Sequence, residues 1–272
     1  MIRIGGLTRH AVLIAATAAV VYPLYFMIST ALKSHQEYAT DKLGLPSNPV
    51  LENITGVLHD PNLLRWFANS ALVTVGSVTL SIGCALLAAY AVARGGSAAT
   101  GSVLTGLIAL MAVPPVALVV PLFVMMARLG LLNNVISVIV IYSGLLVPLS
   151  VYLLVGFFRA IPTELDEAAF MDGASRFAVL RHVMIPLATP AILTLAVVNS
   201  VYVWNEFLIA LLFLQREQAQ TLMVGIASFQ GRFQTDEPLL MAWSLFASVP
   251  ILLVYVLGQR FLVRGLIGGA LK

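Results

Sequence analysis

Charged side chains are scarce in this sequence: only 10% of its 272 residues are Asp, Glu, Lys or Arg, and 60% are apolar. Soluble domains carry roughly 25% charged residues, and a soluble chain of this length would need a far more polar surface. Lipid must therefore replace water around most of the molecule. The formal net charge of +3 gives no indication of nucleic-acid binding, and no nucleic acid is expected as a partner.

Several chemical functions are excluded by what the sequence lacks. The single cysteine, Cys84, rules out a disulfide within the chain and cannot form a metal cluster by itself, so no metal site is expected. The ATP-binding motif G-x-x-x-x-G-K-[ST] is missing, as are H-E-x-x-H and G-x-S-x-G. The histidines all lie outside the apolar stretches: His10, His35, His59 and His182. The chain is therefore predicted to be neither an ATPase nor a membrane enzyme.

The sequence does contain six long apolar stretches, five without charge and one interrupted only by Glu206. Each can supply the ~20 residues that cross a ~30 Å hydrocarbon layer at ~1.5 Å per residue. The first is too long for the apolar region of a signal peptide, so we interpret it as an uncleaved span. The pattern predicts an all-α, polytopic membrane protein with six transmembrane helices in one domain, 1–272. The predicted spans are 11–32, 67–93, 102–127, 134–158, 188–213 and 239–260.

Basic residues indicate how the spans are oriented. With the N-terminus in the cytoplasm, nine of the 15 Lys and Arg residues lie inside and six outside, as the positive-inside rule requires. An even number of spans then places both termini in the cytoplasm. The outer connection 33–65 is predicted to be a loop with at most short helices, because it contains Pro46, Pro49 and Pro61.

The predicted cytoplasmic connection 161–186 has a helical pattern. Thr163 can cap the start of a helix, with Asp166 three residues later as a capping-box variant. Gly173 can end that helix, because glycine adopts a positive φ without penalty, and Ser175 can cap a second short helix. The segment is predicted to be a helix, a glycine turn and another helix at the inner membrane surface. Either a solvated connector or a docking surface for another protein fits this pattern.

The same segment resembles the EAA loop of ABC importer permeases. The shared pattern is Glu167-Ala168-Ala169, three residues, Gly173, nine residues, Val183, one residue, Ile185-Pro186. Pro186 is predicted to end or bend the second helix. Two further stretches resemble the carbohydrate-uptake branch, specifically the smaller maltose-type permease. They are Trp204-Asn205-Glu206-Phe207-Leu208 and Gln259-Arg260-Phe261-Leu262-Val263-Arg264-Gly265-Leu266.

The resemblance implies the subunit of an ATP-driven, binding-protein-dependent sugar importer in a bacterial or archaeal inner membrane. Its partners would be a second permease in a heterodimer, two ATPase subunits that bind ATP and Mg, and an extracellular sugar-binding protein or lipoprotein. This chain would bind no cofactor itself. The EAA loop would dock into an ATPase and transmit its closure to the spans as a rigid-body motion. The residues assigned to this coupling are Glu167, Ala168, Ala169, Asp172 and Gly173.

One carboxylate, Glu206, lies well inside a predicted span. A charged group at the membrane centre costs roughly 2.5–3.5 kcal/mol on insertion scales, so it should face a cavity or a polar partner. Asn199, Tyr202 and Glu206 fall at i, i+3 and i+7 on one helix face, and we expect them to line the substrate pathway. Two alternatives remain open: Glu206 bonds the partner permease, or it reaches the outer surface.

A second candidate contact lies in the polar outer segment 215–237. Phe229, Gln230, Gly231 and Arg232 occupy the position at which maltose-type relatives insert a loop into the cleft of the binding protein. The resemblance implies the same contact here. A merely solvated loop is the alternative.

Two other transport functions stay open. A self-sufficient secondary transporter would usually show more spans, and broken helices that carry ion ligands. Pro114-Pro115 and Pro148 could break helices here, but only one carboxylate lies near a site. Within the importer class, glycerol-phosphate esters are the alternative cargo, because their permeases are closely similar. The particular sugar cannot be predicted, since specificity is shared with the binding protein and the partner permease.

Overall fold

The computed structural model describes residues 6–229 and 236–270, and the regular structure there is entirely helical. The predicted all-α class is confirmed for these residues. A π-helical turn at Leu180–Met184 joins α9 to α10, and a 3₁₀ turn at Glu217–Ala219 follows α11. The α-helices are α1 Gly6–Ala31, α2 His35–Thr40, α3 Glu52–His59, α4 Leu63–Arg94, α5 Ala98–Leu110, α6 Pro115–Arg128, α7 Val135–Ala160, α8 Glu164–Met171, α9 Arg176–Val179, α10 Ile185–Asn205, α11 Leu208–Phe213, α12 Leu222–Ser228 and α13 Glu237–Ala270.

The third predicted span, 102–127, is wrong as a single helix. It consists of α5 and α6, which are bent by 98° relative to each other. Pro114 has extended backbone and Pro115 opens α6, because proline disfavours helical geometry in the residue before it and suits the first helical turn. Five single helices in the described residues are also long and apolar enough to cross a membrane: Thr8–Ala31, Leu63–Arg94, Val135–Ala160, Arg176–Asn205 and Glu237–Gln259.

The prediction that Pro186 ends or bends the second loop helix needs correction. The chain stays helical from Arg176 to Asn205, and the Ile185 N–H donates to the Leu180 carbonyl in a widened π turn just before Pro186. Such turns relieve a local misfit without ending a helix. Pro148 likewise lies inside α7 without interrupting it, as membrane helices allow.

The chain divides into two compact units. Unit 1 comprises the described residues of Met1–Arg65 and Gly225–Pro250, and unit 2 those of Trp66–Val224 and Ile251–Lys272. Each unit is internally packed. The site discussed below lies within unit 2.

In unit 1, the predicted outer loop contains the short helices α2 and α3 before α4 begins at Leu63, as its prolines indicate. Lys33 is fully buried there and its Nζ donates to the Asp41 carbonyl at 2.6 Å. The Asp41 carboxylate accepts the N–H groups of Gly44 and Leu43, at 2.9 and 3.2 Å. These hydrogen bonds, the one from Gly44 first, hold the pKa of Asp41 below its ordinary value. The loop is therefore an ordered structure.

Unit 2 is held together by helix packing and by hydroxyl groups. Leu154 and Phe158 on α7 are fully buried in one apolar cluster with residues of α4 and α10. Between α4 and α7, Ser143 Oγ donates to the Ser77 carbonyl at 3.2 Å, and Ser77 Oγ donates to the Ile139 carbonyl at 3.4 Å. Inter-helix hydrogen bonds of this kind average about 0.6 kcal/mol in membranes, so packing supplies most of the stability.

Candidate functional site

The helix, glycine turn and second helix predicted for residues 161–186 are present as α8, Gly173 and α9. Gly173 has φ +83°, a region that residues with a Cβ rarely adopt. Ser175 Oγ accepts the Ala178 N–H at 3.2 Å, so the second predicted cap is confirmed. The first is wrong: Thr163 makes no side-chain capping bond. The Asp166 carboxylate instead bonds a different helix.

Arg94, the last residue of α4, holds this loop from the inside. Its Nε lies 2.6 Å from Asp166 Oδ2, and the two side chains are only 14% and 6% exposed. Its Nη2 donates to the Ile161 carbonyl at 3.0 Å and contacts Met184 Sδ at 3.7 Å. One guanidinium therefore reaches the start of the loop, α8 and the end of the loop together.

Sequence reasoning missed the Arg94–Asp166 pair. The two residues are 72 positions apart, and no local periodicity joins them. The available signal was weak: Arg94 is the single charge between the second and third predicted spans. A charge placed there needs a partner, because an uncompensated ion costs free energy when it is buried.

The five predicted coupling residues do not share one environment. Glu167, Ala168, Asp172 and Gly173 are exposed. Ala169 is half-buried and packs against the apolar cluster of unit 2. The structure thus places four of them on the free side of the loop and one on its packed side.

The free side of the loop also carries large apolar side chains. Met171 is 88% exposed, and three neighbours are exposed as well: Leu165, Phe170 and Phe177. Exposed apolar groups clustered beside acidic ones are typical of surfaces that bind another protein. The arrangement favours the docking interpretation of this segment over the solvated connector.

The fifth predicted span, 188–213, is also wrong as one helix. It ends at Asn205, and Glu206 follows with extended backbone before α11 begins. Glu206 accepts the Ile209 N–H at 3.1 Å on both carboxylate oxygens and the Ala210 N–H at 3.3 Å on Oε2. Tyr142 OH donates to the same Oε2. The carboxylate is satisfied within the chain, by a tyrosine and by the positive end of a helix.

The three predicted pathway residues therefore differ in position. Asn199 is fully buried and its Nδ2 donates to Ser150 Oγ at 3.1 Å, which links α10 to α7. Tyr202 is 41% exposed. Glu206 lies beyond the end of their helix, so the predicted common helix face does not form.

Replacing Glu206 by alanine is expected to destabilise the chain by about 1–2 kcal/mol, because a capping acceptor of α11 is lost. Glu206→Gln should cost less, since its amide oxygen still accepts an N–H. Unfolding of the detergent-solubilised protein, followed by tryptophan fluorescence, measures both. Equal stability of the alanine variant and the unaltered protein would contradict the capping role.

The predicted binding-protein contact is described only at its first residue. The Phe229 ring stacks on Trp243 in unit 1, with ring centroids 5.3 Å apart and planes inclined by 27°. Gln230, Gly231 and Arg232 lie outside the described residues. In the part of the chain that is described, no group of three or more His, Cys, Asp or Glu side chains could hold a metal ion.

Within the described residues, the site is an exposed helix–glycine–helix loop on an all-helical chain with several helices apolar enough to cross a membrane. The chain belongs to the family of binding-protein-dependent transport system inner membrane components, which matches residues 81–268. The predicted carbohydrate-uptake branch is confirmed. The chain is accordingly a non-catalytic, multi-pass membrane subunit.

Several of its relatives are named as permeases for sugars. The sulfoquinovosyl glycerol transport system permease of Agrobacterium fabrum is 35% identical, over 93% of this chain and 89% of that protein. The melibiose/raffinose/stachyose import permease of Bacillus subtilis is 33% identical, over 97% and 96%. A chain of a bacterial ABC transporter for alginate import has the same fold, with a TM-score of 0.83 at 24% identity over 95% of this chain and 96% of that one.

Proposed function

We propose that this chain forms half of the translocation pathway of an ATP-driven sugar importer, and that residues 161–186 couple it to an ATPase. One observation carries the coupling: α8 has two unlike faces. Asp166 bonds Arg94 on α4 and Ala169 packs against the apolar cluster of unit 2, whereas the other face of α8 is exposed at Glu167, Ala168 and Met171. A helix anchored on one face and free on the other is suited to bind a partner and pass its displacement inward.

The partners follow from what the chain lacks. It has no phosphate-binding loop, so ATP and Mg would be bound by two ATPase subunits, one of them against α8. A second permease would complete the pathway, and an extracellular sugar-binding protein would deliver the cargo. Both termini, and with them α8, would be cytoplasmic, where ATP is available.

The cargo is proposed to be a sugar, because the named relatives transport melibiose, raffinose and stachyose, or sulfoquinovosyl glycerol. Among the predicted pathway residues, the exposed Tyr202 is best placed to contact it, since an aromatic ring suits the apolar face of a sugar. Glu206 would act mainly by holding the α10–α11 break. Phe229 to Arg232 are proposed to contact the binding protein.

The test is to purify the tagged full-length chain with the products of its neighbouring genes, and to measure uptake in membrane vesicles. We expect a second permease and an ATPase to copurify. Uptake of radiolabelled oligosaccharide should require both ATP and the binding protein. Recovery of this chain alone, with accumulation unchanged by nucleotide depletion, would overturn the proposal. Uptake of glycerol phosphate in place of sugar would overturn the assignment of a sugar as the cargo.

A further inference from the structure

A cavity of about 470 Å³ lies where α4 ends, beside α8 and α9. Its charged and aromatic lining residues are Tyr90, Arg94, Asp166, Phe170, Arg176 and Phe177. Two guanidinium groups and one carboxylate face it, so its net charge is positive. Within the described residues, Arg176 has neither an ion pair nor a hydrogen-bond partner of its side chain. The cavity therefore offers a cationic group that is free to bind an anion.

An apolar groove continues from this cavity along α4. Leu87 lines both, and the rest of the groove runs back to Leu72 along one helix face. The fifteen residue-to-residue steps from Leu72 to Leu87 extend ~22 Å along the helix, more than the roughly 15 Å of one membrane leaflet. Gly83 leaves the groove open, because a Cβ built there has no atom within 4 Å. The length of the groove and its apolar lining therefore suit an acyl chain.

We propose that this combined feature binds an anionic phospholipid, with the phosphate at Arg94 and Arg176 and one acyl chain along the groove. Arginine binds phosphate through charge-assisted, often paired hydrogen bonds. Basic pockets between membrane helices recognise lipid headgroups in this way. Free phosphate would fill only the cavity. A ligand that joins a phosphate to a hydrocarbon chain fills both parts. We place this phospholipid in the cytoplasmic leaflet, and only that placement rests on the proposed function.

The lipid is expected to be found by photolabelling the purified complex in nanodiscs. The probe is phosphatidylglycerol with a diazirine in one acyl chain, and the labelled peptide is mapped by mass spectrometry. Labelling should fall within residues 72–87. Arg176→Ala should reduce it about fivefold, the effect of about one basic residue near a lipid surface, and Gly83→Leu should reduce it by filling the groove.

Two matched controls lie outside the feature. Arg159 is an exposed basic residue in the last turn of α7, and Gly156 is an exposed α7 glycine with open space around its Cβ. Arg159→Ala and Gly156→Leu should leave labelling unchanged. A photoreactive diacylglycerol, which lacks the phosphate, should label weakly, and Arg176→Ala should not change that labelling.

Three outcomes would overturn the lipid site. Equal labelling in all four variants would mean that the probe reacts from the surrounding bulk lipid and that no specific site exists. Full protection by excess glycerol phosphate would mean that the cavity binds phosphate without the chain. A disulfide between Cys84, which lines the groove, and a cysteine introduced into the second permease would mean that a helix fills the groove. Labelling is read without ATP or sugar, so its failure is distinct from failure of the importer proposal.

Discussion

Replacing Glu167 by lysine is expected to reduce ligand-stimulated ATP hydrolysis by the assembled complex about tenfold or more, while the chain still inserts and folds. Glu167 is exposed on the free side of α8 and its carboxylate has no hydrogen bond or ion pair within the described residues, so the fold does not need its charge. At a docked interface the carboxylate would meet a basic group of the ATPase. Reversing its charge removes an attraction and adds a repulsion, and the loss of one partner of a buried charge pair at an interface costs roughly 2–5 kcal/mol.

The matched control is Glu164→Lys. Glu164 is exposed in the first turn of the same helix, so both changes put a lysine near the positive end of α8 and cost helix stability alike, about 0.3–1 kcal/mol. Only Glu167 lies in the motif. The measurement is the ATPase activity of the purified complex, with and without liganded binding protein, compared between the two variants. Full stimulation in Glu167→Lys, or equal loss in both variants, would contradict a specific contact at Glu167.

The parts of this fold that the sequence predicts are those with a local cause. Long apolar stretches specify membrane helices by hydropathy alone. Gly173 was identifiable because a helix that turns back at once needs a residue tolerant of positive φ, and Ser175 because a short polar side chain suits an N-cap. Each of these features is determined by a few neighbouring residues.

The parts that the sequence did not reveal depend on distant partners. Glu206 continues an apolar helical pattern, and its position outside the helix depends on Tyr142 and on the N–H groups of α11. Asp166 occupies a capping-box position in the sequence, but its carboxylate accepts a hydrogen bond from Arg94, 72 positions away. Pro114-Pro115 was recognisable as a breaker, but two prolines specify that a helix breaks and not the angle at the break, which is 98° here. Hydropathy locates spans without showing which polar groups meet.

Removing Arg94 is expected to destabilise unit 2 by roughly 3–5 kcal/mol, the cost of leaving one member of a buried ion pair uncompensated. Asp166 is 4% exposed and would lose the one hydrogen bond that its carboxylate makes, as well as its counter-charge. Arg94→Met, Asp166→Leu and the double variant form a cycle, with unfolding in detergent as the measurement. Apolar replacement of both partners is often neutral, so the double variant should recover most of the loss. Additive losses would contradict a coupled pair.

The double variant also separates stability from coupling. It keeps an apolar contact between α4 and α8, but loses the hydrogen bonds by which Arg94 holds both Asp166 and the Ile161 carbonyl. If that link transmits the movement of α8, the ratio of stimulated to basal ATPase activity should fall even though the complex assembles. A merely structural pair would change yield and stability but leave this ratio intact. Arg94→Lys keeps the charge but not the planar guanidinium. Its ratio of stimulated to basal ATPase activity should lie between those of the unaltered protein and the double variant.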